Sequence, residues 1–131
     1  MYNKVIAIGR LTATPELQKT ANDKSVARAT LAVNRKYKDA NGEREADFLS
    51  LVIWGKLAET LASYATKGSL LSIEGEIRTR RYEKDGQNRY VTEVLVNGFQ
   101  LLESRAQRAL RENNAGADLA DLVLEEEELP F

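Results

Sequence analysis

Cysteine and histidine are both absent from this chain of 131 residues. With them go disulfides, thiolate nucleophiles, the commonest zinc ligands and the side chain that ordinarily shuttles protons near neutral pH. Any enzyme built here would work with carboxylates alone, so no catalysis, cofactor or metal is expected. Proline occurs only twice, which leaves little to interrupt long strands, and tryptophan once. No apolar run approaches the roughly 18 residues of a membrane span. The amino terminus enters a strand-like pattern without the charged and then apolar segments of a secretory leader. A soluble, cytoplasmic protein with one domain and a tail is expected.

Charge is plentiful but segregated. Residues 1–111 hold all 19 Lys and Arg against 13 Asp and Glu, whereas residues 112–131 hold 7 acids and no base. A basic body attracts phosphate. An acidic tail attracts a basic protein pocket or, weakly, the body itself.

Residues 3–11 alternate in the manner of a strand, with Gly9 marking a bend, and Pro15 follows in a turn. Residues 25–36 form a second strand, with Ala27, Ala29, Leu31 and Val33 on one face and Arg28, Thr30 and Asn34 on the other. After the turn at Asp39-Ala40-Asn41-Gly42, residues 46–54 form a third. Leu49, Leu51 and Ile53 share one of its faces; Phe48, Ser50, Val52 and Trp54 share the other. Gly55 ends the alternation, and Leu57, Leu61 and Tyr64 or Ala65 then recur at helical spacing over residues 56–66 before Lys67-Gly68. Strands resume over residues 69–82, with Gly75 at a bulge, and over residues 88–101 after Asp85-Gly86. Five strands with one helix between the third and fourth predict an all-β class, the five-stranded OB-fold Greek-key barrel. The domain is assigned to residues 1–104. Residues 105–131 are read as a flexible acidic tail, with a short frayed helix over residues 104–113.

Aromatics interleave with cations along these strands: Arg35-Lys36-Tyr37-Lys38, Phe48 to Trp54, Arg78-Thr79-Arg80-Arg81-Tyr82 and Arg89-Tyr90. Single-stranded nucleic acid demands that mixture, because exposed bases stack on rings for about 1–3 kcal/mol each while cations follow the phosphates. Trp and Phe on a strand are more often core residues. Here Leu49, Leu51 and Ile53 already occupy the inward face, which turns Phe48 and Trp54 outward. They lie ~20 Å apart at about 3.3 Å per residue, the span of a track rather than a pocket. Tyr37, Tyr82 and Tyr90 serve equally well as covers for the barrel ends. Arg78, Arg80 and Arg81 suit phosphate, with a solvated hairpin as the plainer reading. The helix offers nothing for base edges in a duplex groove. RNA is left open as a weaker ligand.

Carboxylate chemistry has two candidate clusters. Glu125 to Glu128 form a run of like charges without the fixed geometry that metal catalysis requires, and Glu43, Glu45 and Asp47 suit the polar side of a hairpin. The terminus differs from an ordinary charge run, because Leu129-Pro130-Phe131 places a ring and the α-carboxylate on one residue. An apolar slot flanked by Arg or Lys on a partner would hold both, and Pro130 restricts the conformations lost on binding.

The chain resembles the bacterial single-stranded DNA-binding proteins, which also exemplify stacking on an OB-fold. The resemblance rests on Gly9-Arg10-Leu11-Thr12 with Pro15-Glu16-Leu17, Val26-Ala27, Leu31-Ala32-Val33-Asn34, Trp54-Gly55-Lys56-Leu57-Ala58-Glu59, Lys67-Gly68-Ser69, Glu74-Gly75, Arg78-Thr79-Arg80 and Tyr90-Val91-Thr92-Glu93-Val94. It implies a non-enzymatic homotetramer that wraps single strands without sequence preference. The implied stacking residues are Tyr37, Phe48, Trp54 and Tyr82, and the implied backbone contacts are Arg35, Lys36, Lys56, Lys67, Arg78, Arg80 and Arg81. It further implies that Glu126, Glu127, Glu128, Leu129, Pro130 and Phe131 form a tip that recruits replication, repair and recombination proteins. The long Gly-, Pro- and Gln-rich linker usual before such a tip is missing. In this the chain resembles the short-tailed form found in naturally transformable Gram-positive bacteria, which implies a part in DNA uptake. An alternative is an OB-fold adaptor that binds proteins without strong DNA affinity.

Overall fold

The computed structural model describes residues 1–113, apart from the side chain of Arg105. The tip expected at residues 126–131 lies outside the described residues. In chain order the elements are β1 (Val5–Leu11), β2 (Glu16–Lys19), β3 (Ser25–Lys38), β4 (Arg44–Trp54), α1 (Gly55–Tyr64), β5 (Leu70–Lys84), β6 (Gln87–Leu101) and α2 (Arg105–Asn113). The strands hydrogen-bond in the order β1-β5-β6-β4-β3-β2, and a further β1–β3 pairing closes the sheet on itself. All pairings are antiparallel except β4 with β6, where Leu51 lies opposite Val94 and Val52 opposite Leu95. The expected OB-fold barrel, with its helix between the third and fourth long strands, is present. The short β2, absent from the sequence reading, pairs with the start of β3.

Closure depends on a close approach at Gly9. A β-carbon there would lie 2.2 Å from the carbonyl oxygen of Ala32, so no other residue lets β1 reach β3, where Arg10 and Leu11 pair with Ala32 and Leu31. At its other end β1 is held by Asn3, whose side-chain amide accepts from the N–H of Ile77 and donates to the carbonyl of the same residue, both at 2.8 Å. The register of β5 against β6 shifts between Glu74 and Gly75, the expected bulge.

Alternation places the core as expected. Ala27 and Leu31 from β3, Leu51 and Ile53 from β4, and Leu71 and Ile73 from β5 meet Val94 and Val96 of β6. Ala58, Leu61 and Ala65 of the α1 segment join the same cluster, whereas Tyr64 is exposed. At about 1.5–3 kcal/mol per large apolar side chain removed from water, this cluster is the chief stabilising element. Two hairpins extend past it. β3 and β4 continue their pairing to Lys38 and Arg44, and β5 and β6 to Lys84 and Gln87, beyond the last contacts with β1 and β4.

The helix beginning at Arg105 starts firmly rather than frayed. The Ser104 hydroxyl accepts from the N–H of Gln107 at 3.1 Å, and the Gln107 amide oxygen accepts from the N–H of Ser104 at 2.9 Å, a reciprocal capping box. α1 has no basic residue in its last turn, and α2 supplies a cation there through Arg108 and holds the following loop through Arg111. Arg108 donates to the carbonyl of Tyr64 at 2.8 Å, and Arg111 to that of Lys67 at 2.6 Å.

Candidate nucleic-acid interface

Phe48 and Trp54 are 66% and 44% exposed on the outer face of β4, with Leu51 and Ile53 buried on the inner one. Between them Val52 shares the outer face but is buried, because it sits in a central strand between its register partners Arg28 of β3 and Leu95 of β6. Register carries the same face outward. Leu95 lies opposite Glu76, so the outer side of the β5–β6 hairpin presents Arg78, Arg80 and Tyr82. The Arg80 guanidinium stands 5.8 Å from the centre of the Tyr82 ring, within cation–π range. Tyr37 is exposed on the β3–β4 hairpin. Tyr90 and Arg81, opposite each other in the register, take the other face of their hairpin.

The seven cations expected to meet phosphate are not equivalent. Arg35 spends its whole guanidinium on carboxylates, donating through Nε and Nη2 to Asp47 and through Nη1 to Glu45 at 2.9 Å. Asp47 is held below the usual carboxylate range, mainly by that hydrogen bond. The acids read as the polar side of a hairpin are thus in part the partners of a cation on it. Arg78 donates through two nitrogens to Glu76, and Arg80 through Nε alone to Glu93 at 2.7 Å. Lys36, Lys56, Lys67 and Arg81 are exposed and form no ion pair with a described residue.

Sequence reading named Lys56 but missed Lys19 and Lys24, the other two cations beside Trp54. A concavity of about 460 Å³ is lined by Trp54, Lys19, Lys24, Lys56, Asp23 and Glu59. Its lysines Lys19 and Lys24 arrive on the β2–β3 hairpin, which turns through Asp23 at φ 60°. The Asn22-Asp23 pair was the available turn signal. Glu59 accepts from the Ser25 hydroxyl at 2.7 Å, and that bond, with Lys19 nearby, lowers its pKa. Arg28, placed outward by alternation, gained meaning only from register, which brings it toward Glu93 of β6.

Phe48, Trp54, Arg78, Arg80 and Tyr82 thus share the outer face of an OB barrel and its β5–β6 hairpin, and the model of the Single-strand binding protein family matches residues 2–102. The chain belongs to the single-strand binding protein family. Among its relatives, Single-stranded DNA-binding protein 2 of Streptococcus agalactiae serotype V is 75% identical over 131 residues, covering all of both chains. Single-stranded DNA-binding protein 1 of Streptococcus pyogenes serotype M6 is equally similar, at 75% over the whole of both. Single-stranded DNA-binding protein of Streptococcus mutans serotype c is 53% identical over 121 residues, covering 90% of this chain and 74% of that protein. The members of the single-strand binding protein family bind DNA and are not enzymes. Among the described residues no three carboxylates gather where they could hold a metal ion, and no helix is long and apolar enough to cross a membrane.

Proposed function

We propose that the protein binds single-stranded DNA without sequence preference and keeps it from pairing and from nucleases. The observation that carries this reading is the exposure of Phe48 and Trp54 on one face of a strand whose other face fills the core. Bases stack on these rings and on Tyr37 and Tyr82. Lys36, Lys67 and Arg81 meet the backbone with cations that pair with no described carboxylate, Lys56 does so from beside Glu59, and Arg35, Arg78 and Arg80 share theirs.

The barrel of residues 1–104 is then the DNA-binding domain. Residues 105–131 are the tail, whose first turns fold back on the barrel as α2 and whose tip at residues 126–131 recruits replication, repair and recombination proteins. A homotetramer fits the exposed Ile6 and Ile8 on β1, since the outer edge of Val5–Gly9 pairs with no described strand. The setting is the cytoplasm, at the nucleoid or on DNA strands taken up from outside.

Titration with oligo-dT of increasing length, followed by tryptophan quenching at two salt concentrations with stoichiometry by mass, tests the reading. Quenching that saturates at one long strand per tetramer supports it. Absence of both quenching and binding returns the rings to an assembly role and leaves a protein-binding adaptor.

A further inference from the structure

Midway along the aromatic face, the loop over residues 12–16 and the sheet enclose a concavity of about 350 Å³. We propose that this concavity is a phosphodiester subsite in which Arg28 and Arg80 bind one backbone phosphate and Glu93 is the positioning residue that aims both guanidiniums. The proposal rests on the single-stranded DNA reading and specifies where the backbone enters the sheet.

Glu93 is the only carboxylate among the core-facing and outer residues of β6 and is 10% exposed, yet it lies on the outer face. Each of its oxygens takes one arginine: Oε2 accepts from Arg28 Nη1 at 2.9 Å and Oε1 from Arg80 Nε at 2.7 Å. Arg28 comes from β3 and Arg80 from β5, so one buried carboxylate ties together three strands. Both arginine side chains are about half exposed, at 51% and 49%, and each has spent a single nitrogen. Arg28 Nε and Nη2, and both Nη atoms of Arg80, make no hydrogen bond to a described residue. Arg35, with every nitrogen engaged, is the opposite case.

The triad of two guanidiniums and one carboxylate is net positive, but Glu16, the register partner of Arg28, brings the formal charge of the lining to zero. The unspent guanidinium N–H donors, rather than excess charge, are therefore what an anion with several oxygens satisfies. The hydroxyls of Thr12, Thr14, Thr30 and Ser50 line the same hollow as further donors, and Glu16 is the other carboxylate on its wall. Position selects a phosphodiester over a free anion. Ser50 stands between Phe48 and Trp54 on the outer face of β4, where the backbone joining bases stacked on those rings must pass.

The charge change at Glu93 separates two accounts by sign. Were the face a diffuse positive field, Glu93→Gln would add charge and tighten binding. As a positioning residue, Glu93 restrains two cations that otherwise repel each other, and Glu93→Gln weakens binding despite the added charge. Long oligo-dT is titrated into the full chain over a series of salt concentrations, comparing the parent with Arg28→Met, Glu93→Gln and the double variant. Arg28→Met is expected to weaken binding about tenfold and to lower the slope of log K against log salt by about 0.7, the single-strand value for one phosphate contact. Glu93→Gln is expected to weaken binding and lower that slope, which a general loss of fold would not do, and to have less effect in the Arg28→Met background. An Arg28→Met protein with the parent's affinity and slope, or a Glu93→Gln protein that binds more tightly, overturns the subsite while the parent still binds. A parent that fails to bind oligo-dT overturns the single-stranded DNA reading itself. Arg28 is half exposed, so its variant decides the matter even where Glu93→Gln does not fold.

Discussion

Arg111 donates Nη1–H to the backbone carbonyl of Lys67 at 2.6 Å, reaching from the second helix to the loop that follows the first. The rest of its fork meets Glu103, at 2.8 Å through Nη2, and both side chains are buried. Gly68 makes room: its φ is +87°, and a β-carbon there would lie 2.7 Å from Arg111 Nη1. Arg111→Met therefore leaves Glu103 buried with only Arg10, at 3.5 Å, to face it among the described residues. The expected loss is about 3 kcal/mol of stability, the low end for breaking a buried pair. Urea unfolding measures it, and amide exchange shows whether α2 alone loses protection. Arg111→Lys is expected to recover little, because an ammonium cannot span the carboxylate and the carbonyl in one plane.

Removal of Trp54 acts on bases through a π-face that every base possesses. Trp54→Ala is expected to weaken oligo-dT, oligo-dC and mixed-sequence strands by a similar amount, about 1–3 kcal/mol for the base that loses its platform. Competition titrations among these strands provide the check. A loss confined to one sequence would mean that Trp54 reads base identity and that stacking is not its role.

Body and tail carry opposite charge, so a tip that held its partners and a tip that merely screened the body would behave differently. Deleting residues 129–131 removes the ring and moves the terminal carboxylate while keeping the preceding glutamates. DNA affinity is expected to stay near the parent's, and pull-down of replication and repair proteins on coated single strands to disappear. Equal loss of both activities would show that the tip serves DNA binding and has no separate role.

Alternation was enough to read β4, because its inward residues Leu51 and Ile53 and its outward residues Phe48 and Trp54 differ in what else could satisfy them. It was not enough for β2. All of Glu16–Lys19 is exposed, so no apolar face announces the strand, and only pairing with β3 creates it. The start of α2 was legible in Ser104 and Gln107, three residues apart, whereas its docking through Arg108 and Arg111 joins positions far apart in sequence that share no local pattern. Cation availability failed for the same reason. Arg35 and Asp47 meet only because the β3–β4 register sets Val33 opposite Asp47 and Asn34 opposite Ala46. Arg28 and Glu93 meet across strands that are distant in sequence.

That Arg35–Asp47 contact yields a prediction of opposite sign to the others. Asp47 occupies two nitrogens of a guanidinium standing on the β3–β4 hairpin, next to Lys36 and Tyr37. Asp47→Asn removes one negative charge from this hairpin and weakens the hold on Arg35, so DNA affinity is expected to rise and the salt slope to steepen by up to about 0.7. Both side chains are more than half exposed, so neutral-pH stability should barely change. Acid makes the difference visible. The folded-state pKa of Asp47 lies below its ordinary 3.8, so the pair's contribution is complete above that value and is lost as pH falls through the lowered one. Asp47→Asn has no such contribution to lose, so its stability should decline less than the parent's over that acid interval in urea titrations. A variant that declines in parallel with the parent, and binds oligo-dT no more tightly at neutral pH, would show that Asp47 does not hold Arg35 in solution.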